Sequence, residues 1–313
     1  MLMAAVLFFV GLLILYYAAD FLVDGSSRLA LSFGIRPLII GMTIVAFATS
    51  MPELMVSLFA AFKGSADIAS GNIIGSNVAN IGLILGVAAL LAPIKVARST
   101  MLREIPIMIA ASVLLLLFSL DGRLSFGNGL VLFLLLLAFL VYCLRSAREK
   151  GLERPAPADL VAKERLSRRR DLVLILLGII GLGFGAELMV RSAVTIARAL
   201  GLSELVIGMT IVALGTSLPE LAASVMSACK GEMDISVGNV IGSNIFNVLF
   251  VLGICPMVSP LAIDPSVLRF ELPLMLLFCL ALIPLAGRRL RLGRPEGAIL
   301  LIGYCLFVGV LYL

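Results

Sequence analysis

The sequence predicts an all-α integral membrane protein. Ten transmembrane helices form two inverted five-helix repeats, with helices 2, 3, 7 and 8 broken. Three observations carry this prediction. Of the 313 residues, 61% are hydrophobic and 14% charged, and mean hydropathy is +1.17. Ordinary globular chains hold about 45–50% and about 25%, and a soluble fold of this size cannot hide so much apolar surface. The apolar residues gather in ten runs, each near the roughly 20 residues that cross a bilayer. Finally, the chain repeats itself at an offset of 167 residues.

In order, the runs are 2–31, 37–62, 67–91, 102–119, 124–145, 171–199, 204–229, 234–257, 269–286 and 295–312. The first has no basic segment before it and no small-residue cleavage site after it, so it reads as a span and not as a signal peptide. Between the fifth and sixth runs lies 146–170, with Pro155, Pro157, four acids and Arg168-Arg169-Arg170. This stretch divides the chain into a first repeat (1–145), a linker (146–170) and a second repeat (171–313). With both termini outside, 19 of the 24 Lys and Arg fall in the cytoplasmic loops, nine of them in and beside the linker. That bias predicts an inner (plasma) membrane protein with outward termini and a cytoplasmic linker.

Composition also removes whole classes of chemistry. With no histidine, there is no Ser-His-Asp triad, no HExxH zinc site and no histidine-held haem. Cys143, Cys229, Cys255, Cys279 and Cys305 form no CxxC and read as small hydrophobes. The net charge of +5 sits mostly in loops, where membrane topology accounts for it; nucleic acid is set aside. The expectation is a protein that is no enzyme and has no cofactor. Its surroundings are the lipid bilayer, and no protein partner is inferable.

The repeat is the most informative feature. GMTIVAFATSMPEL (Gly41–Leu54) lies on GMTIVALGTSLPEL (Gly208–Leu221), and KGSADIASGNIIGSNVAN (Lys63–Asn80) lies on KGEMDISVGNVIGSNIFN (Lys230–Asn247). Over 38–86 against 205–253, 28 of 49 positions are identical. Five spans per repeat is an odd number, so the second half enters the membrane from the opposite side. That architecture belongs to transporters with a site near the midplane.

Glu53 and Glu220 fall near the middle of the second and seventh runs. Each costs at least about 2.5–3.5 kcal/mol there. No Lys or Arg lies at that depth to pair with them, which leaves protons and mobile cations. Thr49 and Ser50 precede Glu53 on the same helix side, with Ala46 one turn further back. Pro52 cannot donate to the carbonyl of Ala48, so backbone oxygens open toward the same place. Ala213, Thr216, Ser217, Pro219 and Glu220 repeat the arrangement. Asn72, Ser76 and Asn80, mirrored by Asn239, Ser243 and Asn247, form a second polar face beside glycines; Asn there serves equally as glue between helices. Two carboxylates with amide, hydroxyl and carbonyl oxygens suit hard cations such as Ca²⁺.

These doubled motifs resemble the paired α-repeats of the cation/Ca²⁺ exchanger superfamily, most of all its bacterial and archaeal sodium/calcium exchangers. The resemblance covers all ten spans. It implies four cation positions in a diamond, lined by Ala46, Thr49, Ser50, Glu53, Ser76 and Asn80 and by Ala213, Thr216, Ser217, Glu220, Ser243 and Asn247. It also implies exchange of several Na⁺ for one Ca²⁺, with the first and sixth helices sliding. Well-understood members carry aspartate at the place of Asn247. Here both Asn80 and Asn247 are amides, so charge counting favours two Na⁺ per Ca²⁺ where the resemblance implies three. Proton-driven Ca²⁺ exchange on the same glutamates and a passive cation channel stay open at this point.

Other charges read as structural. Asp67 and Asp234 are expected to cap helix starts, and Glu104 and Glu271 to sit at positive helix ends. Lys63-Gly64 and Lys230-Gly231 read as helix ends. Asp20 and Asp24 are expected to pair through Arg28, and Glu187 with Arg191.

Overall fold

The structure is a computed structural model that describes residues 1–151, 167–201 and 213–311. The expected linker's centre and the expected start of the seventh span, 204–212, lie outside the described residues. Twelve helices follow in chain order: α1 Leu2–Phe33, α2 Pro37–Thr49, α3 Met51–Phe62, α4 Ala66–Leu91, α5 Thr100–Ser119, α6 Phe126–Gly151, α7 Ser167–Ala199, α8 Ala213–Thr216, α9 Leu218–Cys229, α10 Met233–Val258, α11 Val267–Gly287 and α12 Arg294–Leu311. Among the described residues, seven helices are long and apolar enough to cross a membrane, eight if the bent pair α2–α3 is one span. The ends of the expected linker are helical: α6 runs on to Gly151 and α7 starts at Ser167. Arg, Lys and Glu are good helix formers, so these helices outlast their apolar runs.

The second run breaks as expected. α2 ends at Thr49, Ser50 leaves helical geometry (φ −81°, ψ 3°), and α3 restarts at Met51 with its axis turned by 43°. Pro52 therefore sits in the first turn of α3, where its missing N–H costs nothing. Ser217 makes the same interruption between α8 and α9, with Pro219 in the first turn. The third and eighth spans differ from expectation. α4 and α10 are not interrupted; each widens into a π-helix, at Asn80–Leu85 and Asn247–Val251. A π segment loosens the α hydrogen-bond ladder without ending the helix.

Packing separates inner from outer helices. α4 and α10 are 78% and 83% buried over their apolar windows, whereas α1, α5, α6, α7 and α11 are 28–33% buried and turn Leu, Phe and Val outward. Glycine lets backbones touch at the centre: a Cβ on Gly242 would stand 2.6 Å from the Met42 Cα, and one on Gly238 2.6 Å from the Leu38 carbonyl. α1 and α7 lie antiparallel along their length, with Gly11 against Gly185, Gly178 against Ala18 and Gly25 against Asp171.

Two short antiparallel ladders tie the halves together. β1 (Ile94–Lys95) pairs with β4 (Arg291–Leu292), and β2 (Arg123–Leu124) with β3 (Leu261–Ala262). Each ladder joins a loop of the first half to a loop of the second, and the two are related by the internal repeat.

Several charges settle differently from the sequence reading. Asp67 and Asp234 occupy first turns, but the capping positions are Ser65 and Glu232 and neither helix start has a side-chain cap bond. Glu104 is buried, accepts from the Tyr142 hydroxyl at 3.1 Å, and lies 3.9 Å from the Arg36 guanidinium. Gly64 (φ 72°) and Gly231 (φ 80°) end their helices in the left-handed conformation that glycine tolerates. Glu187 pairs with Arg191, and Arg28 with Asp24. Asp20 and Asp24 also hold Lys230, the latter at 2.6 Å, a contact the sequence did not suggest.

Candidate functional site

The site is built where α2–α3 and α8–α9 break, between α4 and α10. Glu53 and Glu220 lie in the first turns of α3 and α9. There the free N–H groups and helix dipole favour a carboxylate. Proline in that turn signals a helix start, and this reading was open to the sequence. Both glutamates are fully buried, as are Thr49, Ser50, Ser76, Asn80, Ser217, Ser243 and Asn247.

The contacts that hold the glutamate helices in place are doubled by the repeat. Asn72 Nδ2 donates to Ser57 Oγ at 3.0 Å and to the Glu53 carbonyl at 3.4 Å. Asn239 Nδ2 does the same to Ser224 Oγ at 2.9 Å and the Glu220 carbonyl at 3.3 Å. These asparagines fasten each glutamate's helix to its neighbouring central helix. Ser57 and Ser224 were not singled out from the sequence, although each lies four residues after its glutamate in both repeats.

Contacts across the halves bring the candidates together. Thr49 Oγ1 donates to Asn239 Oδ1 at 3.2 Å and lies 3.4 Å from Ser243 Oγ. The Ser217 hydroxyl lies 3.4 Å from Glu53 Oε1 and 3.4 Å from Ser76 Oγ. Thr49 and Ser50 in turn face the Glu220 carboxylate. Asn247 Nδ2 donates to Asn77 Oδ1 at 3.1 Å. Asn77 is thus a member of the cluster, at a position where the sequence left glue between helices and ligand equally open. The Ala46 carbonyl accepts the Ser50 N–H at 3.0 Å and has Thr49 Oγ1 at 3.4 Å, so it is less open than expected. Thr216 is partly buried beside Ser217, and Ala213 opens α8 at the edge of the described residues.

What remains is a concentration of buried oxygen without a donor. Glu53 Oε2, both Glu220 carboxylate oxygens, Asn80 Oδ1, Asn247 Oδ1 and Ser50 Oγ make no hydrogen bond. A buried acceptor normally finds a donor, and leaving it without one costs about 1–3 kcal/mol, more for a charge. Among the described residues no group of three acidic, Cys or His side chains gathers anywhere. The cluster's formal charge comes from two carboxylates, set among amides and hydroxyls. Such a set suits a hard, oxygen-seeking cation.

Comparison with known proteins gives the family. The family model described as "Sodium/calcium exchanger protein" matches residues 3–145 and 171–313. The inner membrane protein YrbG of Escherichia coli is 40% identical, covering 100% of this chain and 98% of its own. The sodium/calcium exchanger MaX1 of Methanosarcina acetivorans is 32% identical, covering 96% of each. A structure of the sodium-calcium exchanger NCX_Mj soaked with Na⁺ and Ca²⁺ superposes with a TM-score of 0.86 at 32% identity, covering 98% of each chain. By full-length sequence and fold, this membrane protein belongs to the sodium/calcium exchanger family.

Proposed function

We propose that the chain is a secondary antiporter that exchanges Na⁺ for Ca²⁺ by alternating access. The ions bind among Ala46, Thr49, Ser50, Glu53, Ser76 and Asn80 of one half and Ala213, Thr216, Ser217, Glu220, Ser243 and Asn247 of the other. The observation that carries this reading is the set of buried, donor-free oxygens around two carboxylates. A partly dehydrated cation is the partner such oxygens lack, and among the described residues no buried Lys or Arg competes. The ions are cargo and no cofactor takes part.

The ten-span, inverted-repeat architecture is part of the proposal. The two separately matched stretches support it, and so do the ladders. Six spans separate β1 from β4 and four separate β2 from β3 in this topology, so each ladder joins loops on one membrane face. Termini outside and linker inside follow from the Lys and Arg bias. One observation favours a second reading, H⁺ for Ca²⁺: neither Glu220 oxygen has a donor, the setting in which a carboxyl carries its own proton.

Direct Ca²⁺ binding to the purified protein tests the site. Glu53→Gln and Glu220→Gln each leave Ca²⁺ short of one negative charge in a poorly solvated cavity, a penalty of at least a few kcal/mol. Each is expected to weaken binding about a hundredfold or more. Near-normal Ca²⁺ affinity in either folded variant would reject the site.

A further inference from the structure

The two ends of the buried Asn247 amide are treated differently. Its Nδ2 donates to Asn77 Oδ1 at 3.1 Å, while its Oδ1 has no donor among the described residues. Ser243 stands one turn earlier on the same face of α10 and lies 3.4 Å from Thr49 Oγ1, so the free oxygen belongs to the cluster. Asn77 is held in its turn. Its Nδ2 donates to the sulfur of Met275, in α11, at 3.6 Å. A thioether accepts and never donates, so it takes the NH₂ end of Asn77 and leaves the oxygen for Asn247. Asn77, Met275 and Asn247 are all fully buried. Their repeat counterparts Asn244, Met108 and Asn80 make no such chain. Asn244 donates to the Val240 carbonyl of its own helix at 3.0 Å, and among the described residues neither end of the Asn80 amide has a partner.

We propose that Asn77 is a positioning residue for the cation site, its direction set by Met275, and that the pair makes Asn247 present oxygen and not NH₂ to the bound ion. The proposal rests on the cation-exchange reading above. Its physical basis is polarity. An amide has nearly the same shape either way round, but its oxygen attracts a cation and its NH₂ repels one. A carboxylate at this position has oxygen at both ends and needs no guidance; an amide does. Turning Asn247 over would set its Oδ1 against Asn77 Oδ1, two acceptors with no hydrogen between them. Turning Asn77 as well would only move the conflict to its oxygen and the Met275 sulfur. An acceptor buried without a donor is costly at either place, so the sulfur fixes the direction of both amides. Asn80 has no comparable hold.

The test reads ion affinity of the full chain in detergent, by calorimetric titration with Na⁺ and with Ca²⁺. Asn77→Leu removes the acceptor, and affinity for at least one of the two ions is expected to fall about tenfold. Met275→Leu keeps the volume, loses the sulfur, and is expected to weaken binding about threefold. Lost packing alone would give similar falls, so both substitutions are repeated in Asn247→Asp, whose carboxylate offers oxygen at either end. In that background they should leave affinity unchanged. Equal losses in the two backgrounds would overturn the proposal. So would unchanged affinity for both ions in Asn77→Leu or, should that variant not fold, in Met275→Leu. A wild type that binds neither ion, or normal Ca²⁺ binding by Glu220→Gln, would reject the site itself and this proposal with it. Neither of those results follows from a failure at Asn77 alone, so the two failures are told apart.

Discussion

Asn239 shows how much one amide holds in this protein. Its Nδ2 spans the Ser224 hydroxyl and the Glu220 carbonyl, while its Oδ1 accepts from Thr49 of the other half. Removing it leaves several buried polar groups without partners, at about 1–3 kcal/mol each. Asn239→Ala is therefore expected to lower the unfolding temperature more than Asn72→Ala, because Asn72 is only partly buried. Thermal unfolding of the two variants side by side checks this, and an equal loss would show that the cross-half bond contributes nothing. The sequence exposed Asn72 and Asn239 only as a polar face, with glue and ligand equally open. Their partners lie 15 and 19 residues away on another helix, so the choice was tertiary and out of reach of periodicity. Glu53 and Glu220 were legible because a carboxylate in an apolar run has no bland explanation. Ser57, Ser224 and Asn77 were not, since Ser and Asn alone are ordinary between membrane helices.

Among the elements, the breaks at Ser50 and Ser217 do most to make a site, since they end one helix dipole and begin another beside each glutamate. Pro52→Ala restores an N–H opposite the Ala48 carbonyl and favours a straight helix. The expected result is a loss of ion affinity of about tenfold or more without a fall in unfolding temperature; unchanged affinity would show that the bend is incidental. Proline in the sequence revealed the interruption, although it read as mid-helix and the structure places it at a helix start. The uninterrupted α4 and α10 carried no such signal, because a π-helix has no residue signature comparable to Pro. Lys230 marks another feature invisible to the sequence, as its partners Asp20 and Asp24 stand 210 and 206 residues away. Partial burial works against its ammonium, but the hydrogen bonds it donates to Asp20 and Asp24 win and raise its pKa. A lysine raised in the folded state contributes stability that is full below its unfolded pKa of about 10.4 and is lost as pH rises through the folded value. Lys230→Gln should thus lower stability at neutral pH by about 0–1 kcal/mol, the range for solvent-accessible pairs, read as a lower unfolding temperature. That deficit should vanish in strong alkali. A deficit independent of pH would assign it to packing.

At the scale of the whole molecule, the two repeats contribute to one buried oxygen cluster, and in the proposed exchange cycle its charge decides the energetics. Two carboxylates balance one Ca²⁺ or two Na⁺, and a cycle built on that balance moves no net charge. A third Na⁺ would make it electrogenic, and 100 mV would then shift the equilibrium by about 2.3 kcal/mol. The reversal point of exchange in liposomes clamped with K⁺ and valinomycin is expected to ignore voltage. Asn247→Asp, which adds a third carboxylate beside Asn77, is expected to make it voltage-dependent; a voltage-dependent wild type would refute the charge count. The central claim itself, Na⁺-coupled Ca²⁺ exchange through the Glu53–Glu220 site, is tested most directly by uptake of radiolabelled Ca²⁺ into proteoliposomes. An outward Na⁺, K⁺ or H⁺ gradient is imposed in turn on wild type and on Glu220→Gln. The account predicts uptake driven by the Na⁺ gradient alone and abolished in the variant. Uptake driven only by H⁺, uptake that needs no counter-ion, or undiminished uptake by Glu220→Gln would contradict it.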